Sequence, residues 1–287
     1  MPVFSRILPS LVSAYGLQAA LAAIFVPQAN EKYYDLGGAF GFLSTTFISL
    51  YYPSLKDKFY IGKPGPLPRL TSFAPRQLLL SACLGIWSIR LGSYLAQRAI
   101  KAGGDSRFDE VKHQPGKFTF FWFAQATWIF VVGFPVYLAN SLPAHLNPAL
   151  GPRDYISLGI FASSFLFEVI ADRQKAAWRA AKDNKEHDEK FITRGLWSIS
   201  RHPNYAGEIG IWAGIWALST NSLQSVYFPR YTPVFALASP ALTYCLLRYV
   251  SGVPPLEKSG NKRFGNDPKY LEYKRNTPVL FPWGPKD

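Results

Sequence analysis

Gly195-Leu196-Trp197-Ser198-Ile199-Ser200-Arg201-His202-Pro203-Asn204-Tyr205-Ala206-Gly207-Glu208 joins a charged segment, 172–194, to an apolar run, 209–218. Proline lacks an N–H and has a fixed φ, so Pro203 suits the first turn of a helix. In a helix starting there, Asn204 and Glu208 stand i,i+4 and Tyr205 and Glu208 stand i,i+3. One face therefore collects all three polar groups. Arg201 and His202 precede the helix at its positive dipole end, which favours an anion. One turn later a carboxylate enters an apolar layer. An N-terminal cap accounts for Asn204 or His202 but leaves Glu208 unexplained.

Outward from this junction the chain repeats the same alternation of charge and apolar block. It has 287 residues, 48% of them hydrophobic and 16% aromatic, with a mean hydropathy of +0.02. Seven blocks of bilayer-crossing length stand out, 8–26, 37–52, 76–97, 118–139, 154–171, 204–220 and 231–250. They predict an all-α, polytopic membrane bundle of about seven helices followed by a short cytosolic helix, forming a single membrane domain over 1–287. A β-barrel would instead show alternating segments of about ten residues.

The net charge of +13 would suggest nucleic acid on a soluble protein, but its distribution argues against that. If seven helices alternate sides, 22 of the 31 Lys and Arg residues fall on one side and 8 on the other, with Arg90 inside a span. The richer side holds Lys32, the 98–117 and 172–203 loops and the tail from Arg248. The positive-inside rule then places the C-terminus in the cytosol and the N-terminus outside or in a lumen. In a eukaryote the expected membrane is the endoplasmic reticulum. Cys83 and Cys245 fall within predicted spans, so no disulfide framework is expected. Four His residues without metal-ligand spacing argue against a zinc site. Residues 1–26 lack a small-residue cleavage site before Pro27, which favours a retained first helix.

Glu168, Asp172, Lys175 and Arg179 are spaced 4, 3 and 4 apart. At about 100° per residue they share a stripe about 60° wide. The stripe reads either as a salt-bridge ladder or as a wall facing a ligand, since Glu168 would be costly against lipid. Arg90 faces the bundle interior or snorkels to the membrane edge. The Gly103–Phe108 loop reads as a turn between spans. In the tail, Asp267 and Pro268 suit N-cap and N1 of a short helix that places Tyr270, Tyr273 and Lys274 on one face. Basic side chains, Tyr hydroxyls and a helix N-terminus are what a phosphate-bearing ligand needs. No Gly-x-Gly-x-x-Gly follows a strand, so a nucleotide would bind between helices.

The Gly195-Leu196-Trp197, Ser200-Arg201-His202-Pro203-Asn204-Tyr205 and Gly207-Glu208 elements resemble the signature of the steroid 5α-reductase C-terminal-like membrane family. They are closest to its uncharacterised bacterial, fungal and plant branch. Arg90-Leu91-Gly92, the Gly103–Phe108 loop, Ala171 to Lys175 and the Ser251–Pro278 tail carry the same resemblance, strongest over 168–283. It implies an NADPH-dependent reductase acting on a carbon–carbon double bond of a lipophilic, steroid-, sterol- or enone-like substrate within membrane lipid. It implies cofactor contacts from Asp172, Lys175, Arg179, Arg201, His202, Asn204, Tyr205, Tyr270, Tyr273 and Lys274. Glu208 matches the acid that polarises the substrate ketone, with a Tyr partner that Tyr33, Tyr51 or Tyr94 would supply. The isoprenylcysteine carboxyl methyltransferases share the Arg-His-Pro-x-Tyr…Glu core and bind S-adenosylmethionine, which makes a methyltransferase the second reading. A non-catalytic lipid-binding scaffold is the third.

Overall fold

A computed structural model describes residues 3–63, 65–102 and 108–286, and among these there is no strand. The seven apolar blocks are all helical. They lie in α1 (Val3–Phe25), α2 (Tyr34–Phe59), α3 (Pro75–Ala102), α4 (Pro115–Ser141), α5 (Pro152–Asp183), α6 (Pro203–Leu223), and α7 (Thr232–Ala236) with α8 (Ala238–Cys245). A single π-helical stretch, Leu246–Val250, continues α8. Among the described residues, five stretches are both long and apolar enough to cross a membrane, those of α1, α3, α4, α5 and the run beginning at α7. The chain is accordingly a multi-pass membrane protein. α2 and α6, at 26 and 21 residues, have the length without the hydropathy. Their polar residues explain why, and they point inward: Thr45, Thr46 and Ser49 of α2 and Ser219, Thr220 and Ser222 of α6 are buried.

Two differences from the sequence reading concern helix ends. Helix α2 runs through Pro53 to Phe59, where a loop was expected. After the last apolar run there are two helices, α9 (Val253–Phe264) and α10 (Pro268–Asn276), rather than one. Pro254 and Pro255 fall in the first turn of α9, where a missing N–H is harmless. Asp267 caps α10 as expected, accepting from the Lys269 N–H at 3.0 Å.

The chain divides into two compact units, Met1–Tyr155 with Ile215–Ser239, and Ile156–Gly214 with Pro240–Asp287. In the first, α2 packs against α1, α3 and α4. Inside it, Gln125 Nε2 donates to Gln18 Oε1 and to the Tyr34 carbonyl, both at 3.0 Å, and Gln18 donates to the Gly37 carbonyl at 2.9 Å. Arg76 and Asp154 form a fully buried bidentate pair at 2.9 and 2.7 Å. The surplus donors and acceptors of that pair are met by the Pro148 and Ala149 carbonyls, the Gly151 N–H and Asn221, as a buried charge requires. Phe108 is the described end of the 103–108 motif, whose other residues lie outside the described ones. It is buried against Tyr34, Phe118 and Phe121.

In the second unit α5 and α6 approach along a small-residue ridge. A Cβ added at Gly207 would lie 2.7 Å from Glu168 Cβ and 2.9 Å from its backbone N. One added at Gly214 would lie 2.7 Å from the Phe161 N. Such ridges let helix backbones close together where lipid supplies no hydrophobic drive. The contact carries Glu168 and Asp172 into the interior, where both are buried.

Candidate functional site

The catalytic acid and all the cofactor contacts expected from the sequence belong to the second unit. Trp197 ties its elements together. The indole N–H donates to the Ala171 carbonyl of α5 at 3.0 Å, and the Trp197 carbonyl accepts from the Tyr273 hydroxyl of α10 at 2.6 Å. The Lys175 ammonium stands 4.3 Å from the centre of the Trp197 ring, a cation–π geometry. Gly195, at φ +62°, makes the turn into this segment, and a Cβ there would strike the Gln174 amide, whose oxygen accepts from the Leu196 N–H at 2.8 Å.

The charged centre is a carboxylate that sequence reasoning did not select. Glu257 of α9 receives Arg201 Nη1 at 2.9 Å and Lys274 Nζ at 3.0 Å on one oxygen, and His202 Nε2 at 3.2 Å on the other. Two carboxylate oxygens offer about four acceptor sites, so three donors are accommodated. Glu257 belongs to the Leu256-Glu257-Lys258 string of the tail motif, but 55 residues separate it from His202. A single Glu beside a Lys reads as a solvated pair. Arg201 is 6% exposed; its Nη2 donates to the Lys286 carbonyl at 2.6 Å, while its buried Nε finds no partner among the described residues.

Ahead of the helix start, the backbone of Arg201 and His202 is engaged by the tail. The Arg201 and His202 N–H groups donate to the Pro278 and Val279 carbonyls at 2.9 and 3.1 Å. Val279 and Leu280 are buried against Val253, with Tyr205 and Ile209 alongside. At these two residues the side chains, rather than the N–H groups, remain for an anion. The His202 ring lies parallel to that of Tyr205, 7° between planes and 5.5 Å between centres. Burial holds the imidazole below the usual His range, with Lys175 and Arg201 pushing the same way and Glu257 opposing. The Tyr273 hydroxyl is pushed up by burial.

The remaining candidates are placed less centrally. Asn204 is half-buried and Arg179 exposed, and neither joins the Glu257 cluster. Tyr270 is buried against Phe191 and Phe264. Glu208 is half-buried one turn along α6, and its Oε1 accepts from the Trp212 indole N–H at 2.8 Å. Tyr33, Tyr51 and Tyr94 all belong to the first unit. Tyr33 stacks on Phe25, Tyr51 packs on Phe73, and Tyr94 lies under the Arg90 guanidinium, 5.6 Å away.

Residues 68–277 match the family described as "Protein of unknown function (DUF1295)", which is of the steroid 5α-reductase-like type. The chain belongs to this family. The DUF1295 region contains the candidate side chains of the second unit, from Glu168 to Lys274. A relative in Schizosaccharomyces pombe, the uncharacterized protein C594.04c, is 26% identical over 180 residues, 54% of this chain and 52% of the relative. The chain thus aligns with about half the length of that curated relative. No solved structure matches.

Proposed function

We propose that this protein is a membrane-embedded, NADPH-dependent reductase of a carbon–carbon double bond in a lipophilic substrate. The supporting observation is the gathering of Arg201 and Lys274 on Glu257, together with Lys175 on Trp197, from α5, the α6 start and α10. Two cations on the one Glu257 carboxylate leave that cluster with surplus positive charge. The buried Arg201 Nε also has an N–H still to satisfy. This donor set fits a phosphate-bearing group. S-adenosylmethionine carries a carboxylate and no phosphate, and so calls for fewer cations.

Arg201, Lys274 and Lys175 would hold the phosphates, Arg201 with the directional fork that suits phosphate oxygens. When bound, the cofactor supplies the hydride; the protein orients the partners. Glu208 would donate a hydrogen bond from a neutral carboxyl to the substrate oxygen, where negative charge develops. Trp212 holds that carboxyl by one oxygen, fixing its direction along α6.

The test is ligand binding to purified protein in detergent. NADPH should bind more tightly than NADH, and both more tightly than S-adenosylmethionine. Lys175→Ala and Lys274→Ala should each weaken NADPH binding by about 1.5–3 kcal/mol, the loss of one charge-assisted hydrogen bond. S-adenosylmethionine binding in preference to NADPH would replace the reductase by the methyltransferase.

A further inference from the structure

Within the cluster on Glu257, one member differs in kind from the others. A carboxylate can only accept, so the 3.2 Å contact between Glu257 Oε1 and His202 Nε2 requires a proton on Nε2. The groups around the ring are Glu257 of α9, Lys175 of α5, Arg201 of its own segment and the Tyr205 ring of α6. Two of these are cations that disfavour a second proton, and burial acts in the same direction. The imidazole is then neutral with its proton on Nε2. Its Nδ1 presents a lone pair, with no hydrogen-bond partner among the described residues.

We propose that His202 is a specificity-determining hydrogen-bond acceptor, its Nδ1 taking an O–H from the sugar of a bound nucleotide. The inference rests on the cofactor reading above and changes the role of His202 from a basic group to a sugar reader. A phosphate oxygen has a lone pair where Nδ1 needs a proton, so the two repel. In a nucleotide the donor nearest the phosphates is a sugar hydroxyl. Arg201, Lys274 and Lys175 then take the anionic oxygens, and His202 reads the group beside them. Glu257 is a positioning residue that sets the tautomer, and the parallel Tyr205 ring holds the plane of the imidazole.

Two substitutions separate this role from a strut on Glu257. Asn places an acceptor where Nδ1 stood and cannot reach Glu257; Gln keeps a donor near the Nε2 position but offers no acceptor at Nδ1. His202→Asn should bind NADPH within about threefold of the wild type, and His202→Gln should lose at least about tenfold. The reverse order makes His202 a strut and overturns the proposal, as do two unchanged affinities or two equal losses. If the wild type binds S-adenosylmethionine and not NADPH, the reductase reading falls. The same pair is then measured with that ligand, whose ribose also offers hydroxyls, and binding of neither ligand ends both.

A second measurement needs no cofactor. A His held below its ordinary value contributes stability that is present above about pH 6.5 and is lost as pH falls below it. Wild-type melting temperature should therefore drop more between pH 7.5 and 5.5 than that of His202→Asn. A wild type that gains on the variant over that range would carry a charged imidazolium paired to Glu257, and the neutral acceptor would be excluded.

Discussion

Glu208 is the residue whose chemistry and whose packing make opposite forecasts. It is half-buried on α6, with the Trp212 indole N–H donating to one oxygen across a single helical turn. As a hydrogen-bond donor to substrate, it should tolerate Gln, which keeps the volume, can accept from Trp212 and can donate through its amide. Glu208→Gln should therefore keep NADPH binding with partial turnover, and Glu208→Ala should keep binding but lose hydride transfer. As a partner of Trp212 alone, its loss would strand a part-buried N–H. The Ala variant would then lose about 1–3 kcal/mol of stability while the surviving protein stayed active. Melting temperature and single-turnover NADPH oxidation on the same preparations separate the two. An unstable, fully active Ala variant would end the catalytic assignment. The sequence marked Glu208 because a lone carboxylate in an apolar run is conspicuous. Glu257 stayed hidden for the opposite reason: it sits among Lys258, Lys262 and Arg263, and only folding brings Arg201, His202 and Lys274 to it.

At the scale of elements, α5 and α6 meet backbone to backbone, and glycine at 207 is what permits it. A Cβ at Gly207 would fall inside contact distance of the Glu168 backbone, which cannot swing aside as a side-chain tip would. Gly207→Ala should cost about 1–3 kcal/mol through displacement of one helix from the other. On α5 itself, a Cβ at Gly159 would meet nothing within 4 Å. Gly159→Ala should stabilise by about 0.5–1 kcal/mol through helix propensity alone. Thermal unfolding of both variants checks the pair of signs, and a neutral Gly207→Ala would mean that the ridge is not a tight contact. Helix existence was legible in the blocks of apolar sequence, and the α10 start in Asp267-Pro268. The α9 helix was not, because Gly252 and two prolines at its start read as a break when they in fact occupy a tolerant first turn. The backbone pairing of Arg201 and His202 with Pro278 and Val279 was equally hidden, since it joins segments far apart in the chain.

For the whole molecule the open choice is how many helices cross the membrane. Five stretches qualify by length and hydropathy, while α2 and α6 have length but carry buried polar residues. Five crossings and seven both put the two termini on opposite sides, so a reporter at each end cannot distinguish them. The basic residues can. If only the five strongly apolar stretches cross, the Lys and Arg residues outside spans divide 15 against 15, leaving the positive-inside rule nothing to act on. If α2 and α6 cross as well, the division is 22 against 8, with eight basic residues of the 172–203 segment joining the tail on the richer side. A crossing helix may hold polar groups when other helices rather than lipid surround it, and the buried Thr and Ser residues of α2 and α6 meet that condition. Seven crossings are therefore expected, with the C-terminus and the 184–194 turn both cytosolic. In a Cys245→Ser background, with Cys83 buried, a membrane-impermeant maleimide added outside intact cells should label Gly62→Cys and Val226→Cys and leave Lys32→Cys and Asn184→Cys unlabelled. Permeabilising the cells should then expose Asn184→Cys. Lys32→Cys reacting from outside together with Gly62→Cys would mean that α2 does not cross, and Val226→Cys protected together with Asn184→Cys would mean that α6 does not.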